Sequence, residues 1–229
     1  MLRLGDKMKT KIEKVDAADP DTRVLEHAAK LILKGEVVVC PTDTGYAFSA
    51  NALDIRAVTR VFQLKGRAYS NPIHIAVRTI EDAEEYAYVN EAARYLAGHY
   101  LPGALTIVLK KKDIIPSMLV AGLNTVGIRI PANAVILKLA EMTGKPLTTT
   151  SANISGKPGT YAVEEVTAQL GENIDHVAMY LDQGPIKMRE LSTIVDLNAS
   201  PPQLIRQGKI SWLDIHESLK RFEKPTGTM

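Results

Sequence analysis

The chain has 229 residues and a mass of 25.0 kDa, with 45% hydrophobic and 24% charged residues, the balance of a folded globular protein rather than a disordered or fibrous one. Its 28 Lys and Arg against 26 Asp and Glu leave a formal net charge of +2, which gives no mandate for wholesale nucleic-acid binding and confines any basic site to a local cluster. The single cysteine, Cys40, excludes an intramolecular disulfide and a cysteine-built zinc site, and no apolar run approaches the roughly 20 residues of a membrane helix, so a cytoplasmic protein with no membrane partner is expected.

The N-terminus alternates Lys7, Lys9, Lys11 and Lys14 with polar residues, and 1–10 reads as a tail. Asp19-Pro20-Asp21 ahead of Val24, Leu25, Ala28, Leu31 and Ile32 predicts a helix that Gly35 stops. A β-branched strand over 36–40 follows, breaks at Pro41 into Thr42-Asp43-Thr44-Gly45, and a second strand runs over 46–50. The plain reading of that link is a turn in which Asp43 caps backbone amides. Ile55, Val58, Val61 and Phe62 predict a helix over 54–65. Beyond it, Lys65-Gly66-Arg67 reads either as a helix C-terminus with Gly66 past the last turn or as an anion clamp of an ammonium and a guanidinium.

A strand over 73–77 puts Ile73, Ile75 and Val77 on one face and His74 with Ala76 on the other. Helices over 79–87 and 91–100 and strands over 105–109 and 126–130 come next. In the last of these, Gly127 and Arg129 share the face opposite Val126, Ile128 and Ile130. A long cation beside a glycine looks like a pocket wall, and a buried arginine needs an anion, so Arg129 either pairs with an Asp or Glu of the protein or holds a ligand. A helix over 133–143 and a strand over 146–150 lead into Thr148-Thr149-Thr150-Ser151-Ala152-Asn153, four consecutive hydroxyls and then an amide. Capping absorbs two of them; the rest suit a polar ligand, with Gly156 and Gly159 letting backbone amides approach.

A helix over 163–170, strands over 177–181, 193–197 and 204–206, and a helix over 211–221 complete the chain. Ser192-Thr193 and Arg206-Gln207-Gly208 stand at strand ends, a strand start and a solvated turn in their plain readings. Lys110-Lys111-Lys112 reads as a solvated loop. The phosphate-loop, dinucleotide, zinc-protease and hydrolase motifs are all missing, and one Trp with three Phe argues against base-stacking platforms. Mingled strands and helices without long linkers predict one α/β domain over 11–221 with a twisted mixed sheet, followed by a tail over 222–229.

Lys34-Gly35 through Pro41-Thr42-Asp43-Thr44, Lys65-Gly66-Arg67 with Asn71-Pro72, Pro102-Gly103-Ala104-Leu105-Thr106, Val126-Gly127-Ile128-Arg129-Ile130-Pro131, Thr149 through Gly156, Ser192 through Asp196 and Ile205-Arg206-Gln207-Gly208 together resemble the YrdC-domain family, the threonylcarbamoyl-AMP synthases. The resemblance implies a YrdC-like sheet with a basic concave pocket and a nucleotidyltransferase that forms threonylcarbamoyl-AMP and pyrophosphate from L-threonine, bicarbonate and ATP. The product would serve tRNA threonylcarbamoyladenosine modification through a downstream tRNA-modifying transferase complex. The family's Lys-x-Arg and Ser-x-Asn signature stands here as Lys65, Arg67, Ser151 and Asn153, the implied catalytic set. Thr42, His74, Arg129, Thr149 and Ser192 fall where the family holds threonine, and Lys65, Tyr69, Thr125, Ser151 and Arg206 where it holds ATP. Mg²⁺ is implied as a companion of the ATP phosphates, without a protein metal ligand. Pro41 to Phe48, reading Pro-Thr-Asp-Thr-Gly-Tyr-Ala-Phe, is similar to the YciO branch, and with 23 residues after Arg206 the chain resembles the short form. The alternative is a YciO-like module that binds double-stranded RNA, with Lys65, Arg67, Arg129 and Arg206 lining a groove for the phosphate backbone.

Overall fold

Asp21, Asp54, Thr79, Asn90 and Asn133 each accept a backbone N–H at the start of a helix, opening α1 (Thr22–Leu33), α2 (Ile55–Lys65), α3 (Ile80–Ala83), α4 (Glu91–Tyr100) and α5 (Ala134–Thr143). With α6 (Val163–Leu170) and α7 (Trp212–Glu223) they follow the apolar periodicity of the sequence. The computed structural model describes residues 11–223, so the tail expected over 1–10, and the last six residues of the one expected over 222–229, lie outside the described residues. Phe222 and Glu223 belong to α7. The helix expected over 79–87 closes after one turn, because Ala87 bridges to Lys111 and the Tyr88 N–H donates to Lys110 O at 2.9 Å.

Among the described residues eleven strands are distributed over two sheets rather than one. In chain order they are β1 (Lys11–Lys14), β2 (Val38–Thr42), β3 (Gly45–Ser49), β4 (Ile75–Ala76), β5 (Leu105–Lys110), β6 (Thr125–Arg129), β7 (Leu147–Thr148), β8 (Thr150–Ser151), β9 (Met179–Asp182), β10 (Thr193–Asp196) and β11 (Gln203–Arg206). The first sheet has the order β1-β9-β2-β3-β8 and the second β11-β10-β5-β6-β4-β7, each mixing parallel and antiparallel pairs. The expected mixed α/β class holds. β1 escapes sequence reading because Lys-Ile-Glu-Lys carries little apolar signal; parallel pairing with β9 makes it a strand.

The strand expected over 146–150 is divided between the sheets. β7 pairs with β4 and β8 with β3, and the chain crosses over at Thr149, whose N–H donates to His74 O at 2.9 Å. Thr148 pins this crossing, since its hydroxyl donates to Phe48 O at 2.9 Å and accepts from the Ala50 N–H at 3.0 Å. β2 is buried on both faces: Val39 joins the main core with Phe48, Ile75, Ile107 and Ile128, whereas Val38 and Cys40 join a second core with α1 and α5. That double burial explains the unbroken apolar run. It also pushes the Cys40 thiol up to about 12, which makes it an inert core residue. Among the described residues no helix is long and apolar enough to cross a membrane.

Candidate functional site

Strand register in the second sheet sets polar side chains in a row across it. Thr106 on β5 faces Arg129 on β6 and Ile194 on β10, and Ile194 faces Arg206 at the end of β11. Ser192 precedes β10, His74 precedes β4 and Thr149 follows β7, so each stands near that row. The end of β2, the turn after it, the start of β3 and the end of β8 bring Thr42, Thr44, Gly45, Tyr46, Ala47 and Ser151 over it from the first sheet. Together with Arg67, Pro72, Thr150 and Leu191 these residues, Ile194 apart, line a cleft between the ends of the two sheets that holds about 640 Å³ when the solvent in its open mouth is counted.

Three guanidinium groups enter this cleft, and no carboxylate is among its lining residues. Arg67 donates to Asn71 O at 3.1 Å and Pro72 O at 2.9 Å. Arg206 is seated on Ser192, donating to its carbonyl at 2.9 and 3.2 Å and to its hydroxyl at 3.2 Å, while Ser192 Oγ and Thr106 Oγ1 are 3.0 Å apart. Arg129 donates to Asp43 Oδ1 at 2.7 Å. Burial pulls all three guanidinium pKa values below the usual range, and at Arg206 the charges of Arg129 and Arg67 add to it. An anionic ligand relieves that mutual repulsion.

His74 is held down to about 4, first by burial and then by Arg206, Arg67 and Arg129, so its imidazole is neutral at neutral pH. It offers the cleft one donor and one acceptor and no charge. Its ring rests on Gly127, where an added Cβ would lie 2.5 Å from His74 Cδ2. Gly127→Ala must therefore displace the ring. If His74 contacts a substrate, this variant raises that substrate's KM about tenfold with a smaller change in kcat, measured by steady-state kinetics alongside a thermal melt. An unchanged KM in a variant of normal melting temperature would remove His74 from the site.

The Lys-x-Arg and Ser-x-Asn residues do not all face the cleft. Gly66 takes the left-handed C-terminal position of α2 at φ 55°, so Lys65-Gly66-Arg67 is a helix end as well as a cation source. Arg67 lines the cleft, but the 1% exposed Lys65 turns beneath the loop after β8. Its ammonium donates to Ser151 O at 2.5 Å, Asn153 O at 2.9 Å and Asn153 Oδ1 at 3.2 Å. Asn153 Oδ1 also accepts from Ser151 Oγ at 2.5 Å, and Asn153 Nδ2 donates to Ile154 O and Lys157 O. The clamp of two cations is thus resolved into one cleft cation, Arg67, and one internal anchor, Lys65.

Of the residues that the resemblance assigns, Thr42, Arg67, His74, Arg129, Thr149, Ser151, Ser192 and Arg206 line the cleft. Tyr69 is half exposed against Phe62, their ring centroids 4.8 Å apart. Thr125 pairs with Lys110 at the far end of β6, four residues and roughly 13 Å along the strand from Arg129. The turn before β3 also differs from its plain reading. Thr42 does the capping, its Oγ1 accepting the Thr44 N–H at 3.1 Å and donating to Gly45 O at 2.7 Å, while Asp43 reaches Arg129. Thr44 and Thr106 are cleft residues to which sequence reading gives no role, although Thr106 is the polar residue within the buried stretch Leu105 to Leu109 of β5.

The family profile for Sua5, YciO and YrdC proteins, described as telomere recombination, matches residues 30–208. The chain is 41% identical over 205 residues to a putative threonylcarbamoyl-AMP synthase of Methanocaldococcus jannaschii, covering 89% of this chain and 95% of that one. It superposes with a TM-score of 0.85 and 34% identity on Sua5 of Pyrococcus abyssi crystallised with L-threonine, covering 93% of this chain and 61% of that longer one. Against Escherichia coli YciO the TM-score is 0.77 at 26% identity, over 89% of this chain and 97% of the other.

Proposed function

The chain belongs to the Sua5/YciO/YrdC family, and on that premise we propose that it is an L-threonylcarbamoyladenylate synthase, a nucleotidyltransferase that makes threonylcarbamoyl-AMP and pyrophosphate from L-threonine, bicarbonate and ATP. The observation that carries this reading is the convergence of Arg67, Arg129 and Arg206 on a hydroxyl-rich cleft whose lining holds no carboxylate. Such a site suits two anionic substrates, a carboxylate and a polyphosphate. Arg129 takes the amino acid's carboxylate, with Thr42, His74, Thr149 and Ser192 around its remaining polar atoms. Arg67 and Arg206 take phosphates beside Ser151. Tyr69, and Thr125 on the same face of β6 as Arg129, are left for the part of ATP that extends beyond the cleft.

Threonine's amine and bicarbonate combine with loss of water to a carbamate. The carbamate oxygen then attacks the α-phosphorus, and its new P–O bond forms as the bond to pyrophosphate breaks. No protein nucleophile is required. Holding the two reactants together and neutralising charge on the phosphates supply the acceleration. Lys65 and Asn153 act by fixing the Ser151 loop. Mg²⁺ arriving with ATP would find the hydroxyls of Thr42, Thr149 and Ser151 in the lining and no carboxylate, and would supply further neutralisation of phosphate charge.

On this reading the domain spans 11–223, through the end of α7, works in the cytoplasm, and passes its adenylate to a tRNA-modifying transferase. The RNA-binding alternative is not favoured, since the identity is 41% to a putative synthase and 26% to YciO. Purified protein with ATP and bicarbonate should release pyrophosphate when L-threonine is added, and at least about tenfold less with serine or glycine. No release from folded protein, together with RNA affinity that falls steeply with salt, would overturn the synthase in favour of the alternative.

A further inference from the structure

Of the three cleft arginines, Arg129 alone is bound across the gap between the sheets. It stands on β6 of the second sheet, and its partner Asp43 stands in the turn between β2 and β3 of the first. Arg129 is buried and Asp43 nearly so, their side chains 8% and 10% exposed, with 2.7 Å between Arg129 Nη2 and Asp43 Oδ1. Asp43 is not part of the cleft lining, so it holds the guanidinium from behind. Nε points at Gly103 O, 3.4 Å away, and the guanidinium's other N–H groups remain for a ligand.

The turn is built to present this carboxylate. The Thr42 hydroxyl closes it, which relieves Asp43 of capping. Gly45 follows at φ 138°, where an added Cβ would press on Thr160 O at 3.0 Å, and the Tyr46 N–H donates to that same oxygen at 3.0 Å. The backbone on either side of Asp43 is thereby fixed.

We propose that Asp43 is a positioning residue for recognition of the amino-acid carboxylate: its ion pair across the cleft fixes the Arg129 guanidinium in the orientation that receives threonine. The inference rests on the reading that Arg129 binds that carboxylate. It assigns Asp43 no contact with either substrate. A buried guanidinium without this partner would be free to turn toward other acceptors, and a neutral asparagine holds it less firmly than a carboxylate does.

The test compares wild type, Asp43→Asn, Arg129→Ala and the double variant by pyrophosphate-release kinetics, with calorimetric binding of L-threonine and L-threoninamide. Asp43→Asn is expected to raise the threonine KM about tenfold, leave kcat and the ATP KM within about twofold, and narrow the preference for L-threonine over its amide. In the Arg129→Ala background the same substitution should no longer raise the threonine KM and should instead lower it, because the group it acts through is gone and the carboxylate left unpaired there is removed. An unchanged threonine KM and amide preference in Asp43→Asn, or its full effect persisting without Arg129, overturns the proposal. Arg129→Ala with a normal threonine KM overturns the underlying reading of Arg129 instead. Should Asp43→Asn fail to fold, Asp43→Glu decides: it keeps the charge but displaces the guanidinium, so the threonine KM alone should rise, and an unchanged value counts against Asp43.

Discussion

Replacing Arg129 by alanine is expected to raise the KM for L-threonine by about 10²-fold or more while leaving the KM for ATP within about threefold, because removal of one partner of a desolvated charge pair costs about 2–5 kcal/mol. Two losses combine. The substrate carboxylate forfeits a charge-assisted fork of hydrogen bonds, and Asp43, 10% exposed and bonded to Arg129 in the intact protein, is left as an unpaired negative charge behind the site where that carboxylate must sit. Arg129→Lys separates these effects, since an ammonium keeps the charge but not the fork and reaches less far. It should recover part of the loss. Steady-state kinetics with each substrate varied in turn checks both variants. Equal damage to threonine and ATP use would sink the assignment, because Arg67 and Arg206 lie in the same cleft and would still be available for phosphates.

The features of this site that the sequence made legible are those that a single strand or helix determines. Period two on β6 put Gly127 and Arg129 together on one face, and the structure bears that out: Gly127 leaves room for the His74 ring, and Arg129 lines the cleft. Likewise Gly66 ends α2 as the local signal suggested. What stayed hidden depends on which strands pair. Nothing in 146–150 marks Thr149 as the residue where the chain passes from the second sheet to the first, because strand propensity carries no information about the partner. Sequence alone leaves Arg129 a protein partner or a ligand, and the structure supplies the partner. Asp43 satisfies it across 86 residues of chain, and the guanidinium still faces the cleft. An Asp in a turn usually caps, so sequence alone makes Asp43 a local cap; the neighbouring Thr42 hydroxyl takes that role and leaves Asp43 to reach the other sheet.

Lys65 is the second position where substitution should be severe, and the structure changes the reason. A lysine bound to phosphate would be replaced at the cost of ATP affinity alone. Here the ammonium is bonded to Ser151 O, Asn153 O and Asn153 Oδ1 and ties α2 to the loop that carries Ser151 into the cleft. Lys65→Met keeps the stem's packing and deletes the charge, removing the ammonium from all three oxygens, of which Asn153 Oδ1 still has Ser151 Oγ. The expected result is a fall in kcat of about 10²-fold, the penalty for a site loosened by about an ångström, with modest rises in both KM values. A rise in the ATP KM alone, with kcat preserved, would restore the direct phosphate role. Stability supplies an independent check with a defined sign. Burial, and to a lesser degree the charge of Arg67, lowers the Lys65 pKa from 10.5 to about 7. Between about pH 7 and pH 10.5 the unfolded chain therefore binds this proton more tightly than the folded one, so the cost of burying the charge is fully present below pH 7 and fades as pH rises through that window. Denaturant unfolding of the wild type across it should contain a rising stability component that Lys65→Met lacks. Parallel pH profiles for the two proteins would mean that Lys65 titrates near its ordinary value despite its burial.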